Sequence, residues 1–187
     1  MVDLQTTAEA APTKTRTEVI VEAKRIEEAA LFSSKRHFEA ARLWSWYHWT
    51  LGIPLVLLAA LSGAAPAAVD ALDRVLPVSS FIPLALLVLS ALSTFVDAQK
   101  RMAAHQAAGN AYDALLNEVR IFRSIDCVAE PTQDAVITDR LKNFSSRKDK
   151  QNEMSPSTPW PAYLLAKVGI WTGQASYAVD NATVEKK

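Results

Sequence analysis

Two stretches without a charged residue decide the fold of this chain: LWSWYHWTLGIPLVLLAALSGAAPAAV (residues 43–69) and VLPVSSFIPLALLVLSALSTFV (residues 75–96). A helix needs roughly 20 mostly apolar residues to cross the hydrocarbon core of a bilayer, and each stretch is long enough. Because backbone groups in lipid must be paired within their own segment, such stretches form helices. The sequence therefore predicts an all-α membrane protein: a two-transmembrane helical hairpin whose long helices extend into a cytoplasmic helical stalk.

The polar parts of the chain divide into regions around this hairpin. We expect a disordered leader over residues 1–17 and cytoplasmic C-terminal helices over residues 127–187. The two-span domain between them is predicted to cover residues 18–126, with spans at about 44–64 and 80–97 and an outer loop at 65–79.

The C-terminal region is predicted to contain two helices separated by a connector. A first short helix should end near Phe144, and a basic, Pro-rich connector should follow over Ser145–Pro161. The last helix should run over Ala162–Ala178, which is too short and, with Lys167, too polar to span a bilayer. We expect it to dock on the stalk or to rest at the inner membrane surface.

The distribution of Lys and Arg predicts the orientation of the hairpin. Five of these residues lie in the approach to the first span, three follow the second span, and the connecting loop holds Arg74 alone. Because Lys and Arg accumulate on the cytoplasmic side, both termini should be cytoplasmic. Trp44, Trp46 and Trp49 stand where the charges stop, as expected of rings that anchor a span at headgroup level; a ligand cage is the alternative.

The second span carries a polar stripe. Ser90, Ser93, Thr94 and Asp97 recur at steps of three and four, which places them on one helix face that ends at a carboxylate. Such a face is suited to lining a pore, but only in an oligomer, because two helices cannot enclose a channel. The alternative is that the hydroxyls bond to carbonyls of their own helix and serve packing.

The second span is predicted to continue without a break past Asp97 into the stalk. Small and apolar residues recur there at steps of four and three, the spacing of a coiled-coil seam: Ala98, Met102, His105, Gly109, Tyr112, Leu116 and Val119. The expected partner is the helix before the first span, and small side chains should let the two backbones approach closely. The candidates for packing or gating are His105, Ala108, Gly109, Tyr112 and Leu116.

The sequence shows no motif for catalysis. It contains no Gly-rich phosphate loop, no nucleophile elbow and no cluster of His and Cys, and its one cysteine, Cys127, offers no metal-ligand spacing. The basic connector lacks the interleaved aromatic residues that stack on nucleic-acid bases. We therefore expect no enzyme activity, no catalytic residues, no metal, no cofactor and no direct nucleic-acid partner. The expected partners are the lipid bilayer and further copies of the chain.

The run QKRMAAHQAAGNAYDALLNEVR (residues 99–120) follows the second span and is matched by a charged helix before the first. In this arrangement the chain resembles the SLATT family of bacterial two-transmembrane effector domains, which associate with SMODS and SLOG proteins. The residues that carry the resemblance are His105, Ala108, Tyr112, Leu115 and Glu118, together with Arg36 and Trp44. They form a packing pattern rather than a catalytic signature.

The resemblance implies an effector of the bacterial inner membrane. We expect it to be dormant until a separate sensor, a nucleotide second-messenger system or a ligand between its cytoplasmic helices triggers it. It would then oligomerise and form a pore or perturb the membrane, in anti-phage defence by abortive infection and growth arrest. The alternative is a non-conducting two-transmembrane anchor or scaffold whose stalk recruits a soluble partner.

Overall fold

A computed structural model of the protein describes residues 14–63, 73–74, 78–128 and 133–173. All regular structure in these residues is helical, which confirms the predicted all-α class. The elements are α1 (Lys14–Ser62), α2 (Val78–Val96), α3 (Ala98–Ile121), a π-helical turn (Phe122–Asp126), α4 (Asp134–Met154) and α5 (Trp160–Trp171). The predicted outer loop lies mostly outside the described residues.

One helical run among the described residues, Phe81–Asp126, is long and apolar enough to cross a membrane by its length and composition. This run contains nearly all of α2, the predicted second span. The predicted first span lies in the second half of α1, where three tryptophans, Tyr47 and His48 lower the average hydropathy of its membrane-length segment. The hairpin with two spans therefore remains a proposal, which we develop below.

Helix α1 is 49 residues long and runs unbroken from the polar region into the first apolar stretch, as the sequence predicts. It begins at Lys14, so residues 14–17 are helical rather than part of a disordered leader. Pro54 lies inside α1 without ending it. The hydroxyl of Thr50 donates to the carbonyls of Trp46 and Tyr47, at 3.0 Å each.

Asp97 separates α2 from α3, contrary to the prediction of a continuous helix. Its φ angle is 42°, a left-handed conformation that is uncommon for a residue with a side chain but that Asp tolerates better than most. The Asp97 carboxylate accepts a bond from the backbone N–H of Lys100 at 3.4 Å, as an N-cap does for a new helix. Neither glycine nor proline marks this break in the sequence, and the local capping chemistry of Asp97 is what makes it possible.

The helices group into two compact units, and neither unit is a continuous piece of sequence. The first unit combines residues 14–34 with 110–128 and 133–154. The second unit combines residues 35–63 and 78–109 with 155–173, and it also contains residues 73–74.

The first unit has its own apolar core. One helical stripe of α1 and one of α3 supply most of it, and α4 adds two side chains. The core residues are Val19, Ala23, Ile26, Ala30, Leu115, Leu116, Val119, Phe122, Cys127, Ile137 and Phe144. Cys127 is 1% exposed, and burial raises the pKa of its thiol, so it behaves as a packed apolar residue.

Buried charge joins α1 to the end of α3 in the same unit. The Glu27 carboxylate is 8% exposed and accepts bonds from Arg120 Nε at 3.2 Å and from Arg123 Nε at 2.7 Å. A buried carboxylate is costly unless it is paired and hydrogen-bonded. The two arginines therefore allow Glu27 to be buried here.

Three polar contacts set α4 antiparallel to the chain that precedes it. Arg140 pairs with Asp126, Arg147 pairs with Glu118 through two bonds, and the Tyr112 hydroxyl donates to Asn152 Oδ1 at 2.7 Å. These contacts extend α4 to Met154, so the prediction of a connector beginning at Ser145 is wrong over residues 145–154. The connector in the structure is residues 155–159, where Pro156 and Pro159 prevent a continuous helix.

The last helix begins at Trp160, two residues earlier than predicted, and ends at Trp171. The predicted continuation to Ala178 falls partly outside the described residues. Proline at its second position is compatible with a helix start, because the missing N–H has no partner in the first turn.

Candidate functional site

A pair of buried histidines forms the most distinctive polar contact in the second unit. His37 on α1 is 1% exposed and His105 on α3 is 3% exposed. Their Nδ1 atoms lie 3.0 Å apart and their ring centroids 5.3 Å apart. One Nδ1–H must donate to the other Nδ1, so the two rings hold complementary tautomers. The bond can therefore form between two neutral histidines, each with one N–H.

The surroundings of the pair disfavour added protons. Burial, then the neighbouring His105 and Arg36, lower the pKa of His37 from its usual 6.5 to about 4. Burial and Arg101 also lower the pKa of His105. An arginine stands near each ring, so a cation is disfavoured here whether it arrives as a proton or as a metal ion. Among the residues that the structure describes, no group of three or more potential ligands could hold a metal.

One turn beyond the pair, α1 and α3 approach so closely that only glycine fits. A Cβ atom built on Gly109 would lie 2.8 Å from Phe38 Cε1 and 2.9 Å from Phe38 Cδ1. Real Cβ atoms do not tolerate such distances, so Gly109 is what allows the Phe38 ring to lie against the α3 backbone. The sequence predicts a close approach of two helices through small residues here, and the ring that Gly109 accommodates is that of Phe38 on α1.

The other seam positions are also buried. Of the seven seam residues, all except the half-buried Met102 are buried. Ala108 belongs to the second unit, where it is 5% exposed, and Leu116 belongs to the first, where it is 1% exposed. Tyr112 is 1% exposed, and its hydroxyl is satisfied by Asn152. These residues pack as the spacing predicts, whereas their role in gating stays a prediction.

A small cavity of about 130 Å³ lies where α2 meets α3 in the second unit. The side chains that line it include Ser93, Asp97 and His48. The Gln99 amide donates to His48 Nε2 at 3.1 Å, which fixes the His48 proton on Nδ1 when the ring is neutral. The cavity is therefore polar on the α3 side, next to the strained backbone of Asp97.

Arg101 ties the start of α3 to both neighbouring segments. Its Nε donates to the Val96 carbonyl at 2.9 Å, which satisfies the end of α2. Its guanidinium carbon lies 5.1 Å from the ring centroid of Trp44, a cation–π arrangement. Trp44 is thus turned toward the helices, and its buried Nε1 has no hydrogen-bond partner.

The structure separates the three predicted anchor tryptophans. Trp46 and Trp49 are 62% and 61% exposed and are available to a membrane interface. Trp44 is half-buried beneath Arg101 and serves packing within the unit.

The predicted pore-lining stripe is likewise divided. Ser93 and Asp97 line the small cavity, whereas Ser90 and Thr94 are exposed on the outside of α2. The Thr94 hydroxyl donates to the Ser90 carbonyl at 3.0 Å, one turn earlier on the same helix.

No family model, curated protein or solved structure matches this chain. Sequence reasoning identified His105 but missed its partner. The signal was present, because the apolar stripe of α1 at Val19, Ala23, Ile26 and Ala30 continues by the same steps of three and four to His37.

Proposed function

We propose that the protein is a homo-oligomeric effector of the bacterial inner membrane that crosses the bilayer twice, with both termini in the cytoplasm. A separate sensor or nucleotide second-messenger signal triggers it. It then forms a pore or perturbs the membrane, in anti-phage defence that ends in growth arrest. The resemblance of residues 99–120 to the SLATT family supplies this biological context.

The observation that carries the proposal is the exposure of large apolar side chains along α2. In a water-soluble protein such a surface would be covered, because contiguous apolar patches of this extent mark an interface or a membrane. Six of these side chains are between 44% and 84% exposed: Phe81, Leu84, Leu87, Val88, Leu92 and Phe95. The apolar half of α1 exposes a comparable set: Ile53, Val56, Leu57 and Leu61.

Exposed small and polar groups support assembly of several copies. Ser90 and Thr94 lie on the outside of α2, where hydroxyls are unfavourable against lipid and favourable against water or another helix. Ala103 and Ala107 on α3 are exposed as well, on a helix whose other face is buried. In an oligomer, the hydroxyls would face a pore or a neighbouring helix.

The test measures membrane potential in bacteria that express the chain together with its neighbouring genes. After the activating trigger, such as infection, we expect a potential-sensitive dye to report depolarisation before growth stops. An unchanged potential in cells that still arrest would contradict a conducting function.

Two matched variants sharpen this test. Replacing Ser90, Ser93 and Thr94 by alanine should change the rate or extent of depolarisation, because it removes the hydroxyls of the predicted lining. Replacing Ser145 and Ser146 on α4 by alanine is the control and should leave depolarisation as in the wild type.

A non-conducting anchor is the second candidate, and one contact favours it. The Thr94 hydroxyl is already bonded to the Ser90 carbonyl, as hydroxyls in membrane helices do when they serve the helix itself. An anchor that recruits a soluble partner through its stalk should keep its full activity in the triple-alanine variant and should not depolarise the cell.

A further inference from the structure

Helix α5 exposes nearly all of its large side chains although it belongs to a compact unit. Its two buried residues are small: Ala162 is 0% exposed and Ala166 is 2% exposed. Trp160 and Trp171, at its two ends, are 73% and 87% exposed. Exposed apolar and aromatic residues between them are Tyr163, Leu164, Leu165 and Val168. A helix with this surface needs a partner other than water.

The unit to which α5 belongs is the one that contains both apolar stretches. Next to the predicted spans, this unit also holds the polar ends of two helices, residues 35–43 of α1 and 98–109 of α3. At 1.5 Å per residue, the α3 portion is about 18 Å long, which is also about the length of α5. Because α5 belongs to the unit that holds both apolar stretches, it is part of the same half of the chain as the predicted spans.

The composition of α5 suits the boundary between lipid and water. Its 12 residues are too few to cross a bilayer. Tryptophan at both ends is typical of segments at headgroup level, where the indole ring is partly in the acyl region. The sole charged residue of α5 is Lys167, whose sign complements the anionic lipids of a cytoplasmic leaflet.

We propose that α5 is an interfacial helix that lies in the cytoplasmic headgroup region of the bilayer, with Ala162 and Ala166 facing the protein. This inference rests on the membrane insertion in the proposed function. A second copy of the chain is the competing partner. Lipid is favoured because the exposed large side chains lie on more than one side of α5, whereas a helix–helix contact covers a single stripe.

The experiment places a polarity-sensitive dye on single cysteines of the full chain, reconstituted in vesicles that contain anionic lipid. Val168→Cys reports α5, with Leu164→Cys as a second position on the same helix. Leu87→Cys, in the centre of α2, reports membrane insertion independently of α5. Ser146→Cys, exposed on α4, is the aqueous control. The wild-type chain, whose one cysteine is the buried Cys127, serves as the control that measures background labelling.

Three quenchers distinguish the possible surroundings of each dye. Lipids brominated near the glycerol end of the acyl chain quench dyes at the interface, lipids brominated near the chain end quench dyes in the bilayer centre, and iodide quenches dyes in water. We expect a blue shift and strong quenching by the first lipid at positions 168 and 164. Position 87 should respond to the second lipid, and position 146 to iodide alone.

Each other outcome overturns a specific statement. Quenching of position 168 by iodide alone would place α5 in water, and protection from all three quenchers would place it against a second copy. Either result, with position 87 still quenched by lipid, rejects the interfacial helix and keeps the membrane proposal. Loss of lipid quenching at position 87 would reject both.

Discussion

The Nδ1 atoms of His37 and His105 lie 3.0 Å apart between two buried rings that share one bridging N–H. A first added proton would place a positive charge in a buried seam beside Arg36 and Arg101. A second would place two N–H groups face to face. The contact is therefore compatible with neutral rings and becomes progressively unfavourable as protons are added.

The first prediction is that this pair makes the fold sensitive to acid. The folded-state pKa of His37 is about 4 and its usual value is 6.5, so between these values the unfolded chain binds more protons than the folded one. Stability should therefore decrease as the pH falls from about 6.5 to about 4, by on the order of 3 kcal/mol, and the contribution should level off below that range. Thermal unfolding of the detergent-solubilised chain across this pH range measures it.

The control for this prediction replaces both histidines by asparagine, which keeps a polar group near the Nδ1 position but does not titrate. The double variant should lose the part of the pH dependence that is due to the pair. The carboxylates are the same in both proteins, so their contribution to the pH dependence cancels in the comparison. An identical pH dependence in both would contradict the assignment.

The second prediction concerns the close approach at Gly109. Alanine is favoured over glycine inside a helix by about 1 kcal/mol. Here the added Cβ would collide with the Phe38 ring, and overpacking of this kind costs about 1–3 kcal/mol. We expect Gly109→Ala to be destabilising on balance, by about 1 kcal/mol in denaturant unfolding.

Gly52→Ala is the matched control, because nothing lies within 4 Å of a Cβ atom at that position. It should be neutral or stabilising. The collision should also be relieved by Phe38→Leu, so the double variant with Gly109→Ala should be more stable than the sum of the two single changes. Additive effects would show that Phe38 is not the obstacle.

The third prediction compares two carboxylates of the first unit. Glu27 is buried between Arg120 and Arg123, whereas Glu118 and Arg147 are both almost half exposed. Glu27→Gln should lower the free energy of unfolding by about 1–3 kcal/mol, because it removes the buried carboxylate charge to which both partly buried guanidinium groups are bonded.

Glu118→Gln provides the comparison within the same unit. The hydrogen bond from Arg147 lowers the pKa of Glu118, but an exposed ion pair contributes less than about 1 kcal/mol. Denaturant titrations of the two variants side by side should rank Glu27 first. Equal effects would mean that burial does not determine the strength of these pairs.

The fourth prediction separates the backbone role of Asp97 from its charge. Asp97→Ala should destabilise the chain by about 1–2 kcal/mol, because alanine is strained at a positive φ and cannot cap α3. Asp97→Asn keeps both the cap and the tolerance for this conformation and should be nearly as stable as the wild type. If the chain conducts, Asp97→Asn should reduce its preference for cations without changing its stability, which ion-replacement measurements on reconstituted protein would detect.

Periodicity made much of this fold predictable. The steps of three and four on α3 indicated seven positions, of which six are buried, and the absence of Gly and Pro between Glu18 and Trp44 correctly indicated an unbroken helix up to the first apolar stretch. The sequence did not reveal that α4 extends to Met154. Its polar composition is typical of a linker, and the contacts of Arg147 and Asn152 that hold it in place are made across the chain.

The candidate site was only partly predictable for a related reason. His105 and Gly109 stand on a regular seam, but a pairwise contact depends on the register between two helices, which spacing within one helix does not supply. The break at Asp97 depends on a single φ angle and one capping bond. An aspartate followed by alanine at the end of an apolar stretch does not indicate either feature.

The two apolar stretches of this chain are joined to their polar neighbours in different ways. Across its 49 residues, about 74 Å at 1.5 Å per residue, α1 is one helix that leads from the polar region into the first apolar stretch. The second apolar stretch instead meets its polar helix at the positive φ angle of Asp97, where Arg101 bonds across the break to the Val96 carbonyl. If both stretches cross the bilayer as proposed, a displacement of the polar helices would pass into the first span through an unbroken helix and into the second through a single backbone turn.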